Sequence, residues 1–342
     1  MKTGVLPILT VIIPAAAASG ISALWNIDAQ LCFATATLIT TAALWLTEAL
    51  PLPTTALLIP VLIVTYGLGS PAEAFAPFGN PVLFLFIGAF LLARGMQKHR
   101  FDMRMAYWLL SLPVASQSLF TVAVALTLLS FVLSMWISNT ATVATLCPIV
   151  LGIMAIIGEQ QPNRVAVEKA TSVILLMVAY GSSVGGIATP VGTPPNVITL
   201  GFLKAHGVDI SFFRWMLVGF PIALLMFLIL VAMLFVVLPL QDISRASFRT
   251  MRSHIAGRLV QLGPRSRAET YVAGCFFLAV VFWVLPGIAE SLWPGARWST
   301  ALAAAAPMST VALLAGLLLF FFFGLVDSGV SVLKWGEAHR IY

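Results

Sequence analysis

The sequence predicts an all-α polytopic membrane protein, and three observations predict it. Of 342 residues, 60% are hydrophobic and only 9% are charged, where soluble domains carry ~25% charged residues. The mean hydropathy is +1.03. Apolar runs close to the ~20 residues that a helix needs to cross a bilayer recur along the chain. Two of these runs are interrupted by polar residues or by Gly and Pro. Backbone at that depth can be irregular only where it is buried in protein or lines a wet cavity.

Composition also excludes several classes. The formal net charge is +6, but the basic residues flank apolar runs and do not gather on an aromatic-rich soluble module, so no nucleic-acid partner is expected. Cys32, Cys147 and Cys275 are far apart, each in an apolar stretch. That spacing fits neither a disulfide framework nor a metal site. His99, His206, His254 and His339 fall in expected loops, so a histidine proton relay is not expected. No span carries a nucleophile with a base, so the chain does not read as an enzyme. Residues 1–25 hold one Lys and a long apolar run; they read as a first span or an uncleaved anchor, not a cleaved signal peptide.

In chain order the expected spans are residues 4–24, 30–49, 54–67 and 81–96, the third bent at Pro60. After Arg94 the chain turns amphipathic, with Lys98, Arg100 and Arg104 among Phe101, Met103, Met105, Tyr107 and Trp108. This is a helix lying in the membrane surface or a short cytoplasmic connector. Residues 119–157 form a hairpin whose two uncharged arms flank Ser138-Asn139-Thr140. Ser, Asn and Thr compete for local backbone hydrogen bonds and favour helix ends. One helix should therefore stop near Trp136 and another start near Thr142. The residues leave open whether the hairpin re-enters the membrane or is an ordinary pair of spans with a wet turn.

Residues 170–203 carry no charge, yet hold three prolines and three glycines between Gly185 and Asn196. Such a stretch cannot be regular helix. The segment exceeds one span and is too short for two plus a loop, so a single crossing broken in the middle fits better than two partial helices with an external loop. Further spans are expected over residues 215–238, 270–288 and 300–326. The domain plan is residues 1–240 as first spans and first repeat, 241–269 as an arginine-rich cytoplasmic loop, and 270–342 as the start of a second repeat.

Orientation follows the basic residues. Arg245, Arg249, Arg252, Arg258, Arg265 and Arg267, against Asp242 and Glu269, place their loop in the cytoplasm, where an anionic lipid surface suffices as partner. Counting back through one broken crossing puts the amino terminus inside and Lys204, His206 and Arg214 outside.

Two interrupted helices in one membrane protein point to a binding site at mid-bilayer. Ser134, Ser138, Asn139, Thr140 and Thr142 come from the hairpin, and Ser182, Ser183, Thr189, Thr193 and Asn196 from the second break. Neither segment contains Asp or Glu. Helices starting at the breaks point positive ends at an anion, and helices ending there present carbonyls to sodium. The cation offsets the anion's charge, so each raises the other's affinity.

The stretches Trp136-Ile137-Ser138-Asn139-Thr140-Ala141-Thr142 and Gly185 to Asn196 resemble the divalent anion/sodium symporter family of dicarboxylate, citrate and sulfate carriers. Thr47-Glu48-Ala49-Leu50-Pro51-Leu52-Pro53-Thr54-Thr55-Ala56-Leu57 and residues 84–94 are similar to family stretches too, in the same order. The resemblance implies an elevator-type carrier with two inverted repeats, each with a re-entrant hairpin and a broken helix, a homodimer when intact, in the bacterial inner membrane. It implies that Ser134, Ser138 and Asn139, with a carbonyl near Gly185 and Gly186, hold a sodium ion. It implies that Asn139, Thr140, Thr189, Pro190 and Thr193 line the anion. No second Ser-Asn-Thr follows Leu240; Pro307-Met308-Ser309-Thr310 is the nearest approach, inside one apolar span. Lys334-Trp335-Gly336-Glu337-Ala338 resembles a stretch of the second repeat, which is therefore expected to be incomplete. The expected function is sodium-coupled anion transport by ancestry. The alternatives are a sodium-independent exchanger of the same family and a fragment that does not transport.

Overall fold

The computed structural model describes residues 5–159, 161, 163–238, 245–321 and 332–338. These are helical with no strand, which bears out the expected all-α membrane fold. Among the described residues, seven helices are long and apolar enough to cross a membrane, or eight if one bent pair counts as a span. Two compact units are present, residues 1–80 and 81–342.

The first unit comprises α1 (Val5–Trp25), α2 (Ala29–Thr47), α3 (Leu52–Thr65) and the short α4 (Pro71–Phe75). Asp28 caps α2 by accepting from the Gln30 amide at 2.9 Å. Ser70 and Glu73 form a reciprocal capping box at α4. Pro60 lies inside α3, as expected.

The second unit begins with α5 (Pro81–Lys98) and α6 (Phe101–Ser111), followed by α7 (Leu119–Ser134), α8 (Asn139–Glu159), α9 (Arg164–Ile187), α10 (Pro194–Ala205) and α11 (Phe212–Val237). It ends with α12 (Arg245–Gln261), α13 (Arg267–Leu292), α14 (Arg297–Ala305), α15 (Met308–Phe321) and α16 (Trp335–Ala338). The amphipathic stretch after Arg94 is thus a helix, α6, with Ala106 and Leu110 buried. The expected arginine-rich loop is largely helical as well. Phe248, Met251 and Ile255 of α12 are buried at helical spacing while Arg249 and Arg258 are exposed. Asp242 and His339 lie outside the described residues.

Small residues set the closest helix contacts. A β-carbon on Gly88 of α5 would stand 2.1 Å from the Ala312 carbonyl carbon of α15. One on Gly181 or Gly185 of α9 would stand 2.9 Å from Thr127 O or 2.1 Å from Phe131 O of α7. Gly181-xxx-Gly185 therefore lays α9 backbone against α7 backbone, the packing that small-xxx-small spacing allows in membranes. The register, 127 beside 181 and 131 beside 185, makes α7 and α9 parallel, with α8 returning between them in sequence.

Residues 300–326 were expected as one span. Its described part is α14 followed by α15, bent by 52° at Ala306-Pro307, and the pair is long and apolar enough to count together as one broken span. Proline supplies no amide to the helix ladder, so the chain turns there. Residues 322–326 lie outside the described residues.

Candidate functional site

Both expected breaks are present. The first runs from Met135 to Ser138 and the second from Ala188 to Thr193. Asn139 and Thr140 are not tip residues but the first turn of α8. Ser138 precedes them, its carbonyl accepting from Thr142 N at 3.0 Å and its hydroxyl from Ala141 N at 3.4 Å. The helix thus starts three residues earlier than the sequence suggested, because serine satisfies orphan amides at a helix start.

A helix that stops in an apolar setting leaves carbonyls that need donors. At the end of α9 these donors can be followed one by one. Gly185 O accepts from Ala188 N at 3.1 Å. Gly186 O accepts from Asn196 Nδ2 at 2.8 Å, and the same amide nitrogen donates to Thr189 O at 2.8 Å. Ile187 O accepts from Trp215 Nε1 of α11 at 3.1 Å. Across the gap, the Thr189 hydroxyl donates to Met135 O in the first break. The two breaks are therefore stitched to each other by Thr189. Asn196, in the first turn of α10, clamps the second break.

The hairpin's own polar groups meet α9. The Ser134 hydroxyl donates to Asn139 Oδ1 at 2.5 Å, joining the end of α7 to the start of α8. Ser182 Oγ of α9 lies 3.1 Å from Ser134 Oγ and 3.0 Å from the Asn139 carbonyl. Gly186 presses on the same amide: a β-carbon there would stand 2.7 Å from Asn139 Oδ1. One on Gly192 would meet Gly186 O at 2.5 Å and Ser134 O at 2.9 Å. Carbonyl and hydroxyl oxygens thus converge where three helix ends meet, with no charged side chain on either segment.

Of the expected cation residues, the structure brings Ser134, Asn139 and Gly186 together. Ser138 caps α8, and Gly185 is the seat of α7 on α9. Of the expected anion residues, Asn139 and Thr189 join the cluster and Pro190 is buried beside it. Thr140 is exposed and Thr193 half-buried at the starts of α8 and α10, and no hydrogen bond places either side chain in the cluster. Sequence reasoning counted Ser182 and Asn196 among the polar groups of the second break, but not Asn196's clamp on Gly186 O and Thr189 O, Ser182's contacts with the hairpin or Trp215's donor, since each acts across helices. Thr142 Oγ1 is buried without a hydrogen-bond partner among the described residues.

Trp136, from the first break, anchors the hairpin in an aromatic stack. Its ring lies 6.2 Å from Phe212 of α11 and 6.4 Å from Trp283 of α13, with interplanar angles of 9° and 4°. Phe212 and Trp283 stack at 5.0 Å and 6°. Trp283 Nε1 then donates to Met308 O, at the bend between α14 and α15, at 3.0 Å.

A family profile described as citrate transporter matches residues 42–336, which include both breaks and this stack. The chain belongs to the citrate transporter family. The family likeness read from the motifs is thereby borne out, and the family and its relatives are transporters rather than enzymes. An uncharacterised transporter of Haemophilus influenzae is 36% identical over 196 residues, 57% of this chain and 40% of the relative. The sodium-dependent dicarboxylate transporter SdcS of Staphylococcus aureus strain USA300 is 30% identical over 254 residues, 71% of this chain and 47% of the relative. This family member thus spans less than half the length of either relative. It is an integral membrane protein.

Proposed function

We propose that this chain binds sodium together with a divalent anion, namely a dicarboxylate, citrate or sulfate. The protein would carry the two together across a bacterial inner membrane. The observation that carries the reading is the meeting of two helix breaks around uncharged oxygens. The carboxyl ends of α7 and α9 bring carbonyl dipoles toward the Ser134–Asn139–Ser182 cluster, which favours a cation. The amino ends of α8 and α10 bring the opposite dipole, which favours an anion. With no carboxylate in either segment, the cation's charge is offset by the anion itself, which couples the two. The name of the staphylococcal relative, a sodium-dependent dicarboxylate transporter, supports this direction. So does the family description. An elevator mechanism built on inverted repeats, with a re-entrant hairpin, is part of the same proposal.

The test is thermal unfolding of the purified chain in detergent with succinate, citrate or sulfate, in sodium chloride or in choline chloride. At least one anion should raise the unfolding temperature, and only with sodium present. Equal stabilisation in choline would replace the symport reading with a sodium-independent exchanger. No stabilisation by any anion in either salt would overturn the reading.

A further inference from the structure

We infer that the Ser182 hydroxyl is a ligand of the cation, completing a shell that the hairpin alone leaves short. The inference rests on the cation reading above and gives one side chain of α9, so far only a neighbour in the cluster, a direct contact with the ion.

The argument is a count of protons. Ser134 Oγ, Ser182 Oγ, Asn139 Oδ1 and Asn139 O are linked by three short oxygen–oxygen distances, 2.5, 3.1 and 3.0 Å. A serine hydroxyl carries one proton, and an amide or backbone oxygen carries none. Two protons serve three distances, so one pair of oxygens faces each other lone pair to lone pair. Both serines are buried, at 0% exposure, so bulk water does not fill the deficit. A hard alkali cation bound by these oxygens removes it: each oxygen then turns a lone pair toward the ion. Turning the Asn139 amide over would put Nδ2 on Ser134 and also balance the count, and the ion competes with that arrangement.

Position supports the role. Ser182 lies three and four residues before Gly185 and Gly186, so it shares their face of α9. It touches both walls of the hairpin, Ser134 at the end of α7 and Asn139 at the start of α8. One turn back along both helices stands an internal comparison. Ser130 of α7 is also buried at 0% exposure, and its hydroxyl donates to Val178 O at 2.6 Å. There one proton serves one distance and nothing is left over. The same pair of helices thus carries a saturated serine contact and, four residues on, an oxygen-rich one.

The experiment titrates the purified chain with sodium chloride, at ionic strength held constant with choline chloride, and follows the unfolding temperature. Ser182→Ala should raise the sodium concentration for half-maximal stabilisation about tenfold or more, the scale at which supporting groups of metal sites act. Ser130→Ala should lower the unfolding temperature without moving that midpoint. Ser182→Cys keeps the volume and replaces a hard oxygen by a soft sulfur. It should weaken sodium like the alanine variant, and it serves if the alanine variant does not fold. A midpoint unchanged in a folded Ser182 variant, with the unsubstituted chain responding, overturns the role of Ser182 and leaves the cation reading standing. No sodium response in the unsubstituted chain overturns the cation reading and this inference with it.

Discussion

Two kinds of interruption stand side by side in the second unit. The facing breaks at Met135–Ser138 and Ala188–Thr193 gather Thr189, Asn196, Ser134, Ser182 and Asn139 around their freed backbone. The bend at Ala306-Pro307 frees backbone as well, and there the Trp283 indole donates Nε1 to Met308 O. Beside it lie Ala303, Ala304 and Met308, in a cavity also lined by Ser211 and by Lys204, Asp209, Arg214 and Glu290, charged side chains that the facing breaks do not have. The two kinds of interruption therefore differ in chemistry: at the facing breaks, carbonyls from one and uncharged polar side chains from the other share one volume, whereas the bend borders a cavity lined by charged side chains.

The largest expected effect tests the close approach of helices beneath the facing breaks. Gly185→Ala puts a β-carbon 2.1 Å from Phe131 O and 2.7 Å from Phe131 Cα, so two backbones must separate. The chain should lose about 3 kcal/mol of stability and its sodium response. Retention of both, by denaturant unfolding and salt titration, would show that the approach does not position the cluster. Asn196→Ala comes next. It strips donors from Gly186 O and Thr189 O, both buried, at a cost of about 2 kcal/mol. Its anion-dependent stabilisation should fall with it.

These two rest on features of unequal visibility in the sequence. The breaks themselves were plain, because Pro190, Pro194, Pro195 and the Ser-Asn-Thr triplet are strong local signals amid apolar residues. The all-α membrane fold was plain for the same reason, since span length and hydropathy are local sums. The partners were not legible. Trp215 on Ile187 O and Thr189 on Met135 O join residues 28 and 54 positions apart. The tip boundary was misplaced because Asn139 and Thr140 read as a turn, although Ser138 caps them into helix. The 52° bend went unseen because a lone proline among alanines looks like a tolerated kink. Helicity within the arginine-rich connector was also missed, since its charges dominated its buried Phe248, Met251 and Ile255.

A smaller effect is expected at the bend. Trp283→Phe keeps an aromatic ring in the stack and removes the donor to Met308 O, which should cost about 1 kcal/mol and leave the sodium midpoint alone. A shifted midpoint would show that bend and site act as one, and the contrast drawn above would collapse. The smallest effect concerns Asp102 of α6. It is a buried carboxylate packed against α8, accepting from Thr145 Oγ1 at 2.9 Å and Met103 N at 2.8 Å. Burial pushes its carboxyl above the ordinary value of 3.8, against the pull of those two donors. The folded state then keeps a proton that the unfolded state has released. Stability falls as pH rises from the unfolded value through the folded one, and is level beyond. Asp102→Asn should flatten that slope above the ordinary carboxylate range in thermal scans, with sodium affinity unchanged. A midpoint that moved with it would place a titrating charge within reach of a cluster otherwise built without one.

The stack of Trp136, Phe212 and Trp283 gives the hairpin its own optical label. Two indoles held 6.4 Å apart with planes 4° from parallel share excitation, and one of them belongs to the four-residue break itself. A shift of Trp136 relative to α13 changes the spacing of these two chromophores. The position of the hairpin in solution is thus written in the absorption and emission of tryptophans that the protein already carries.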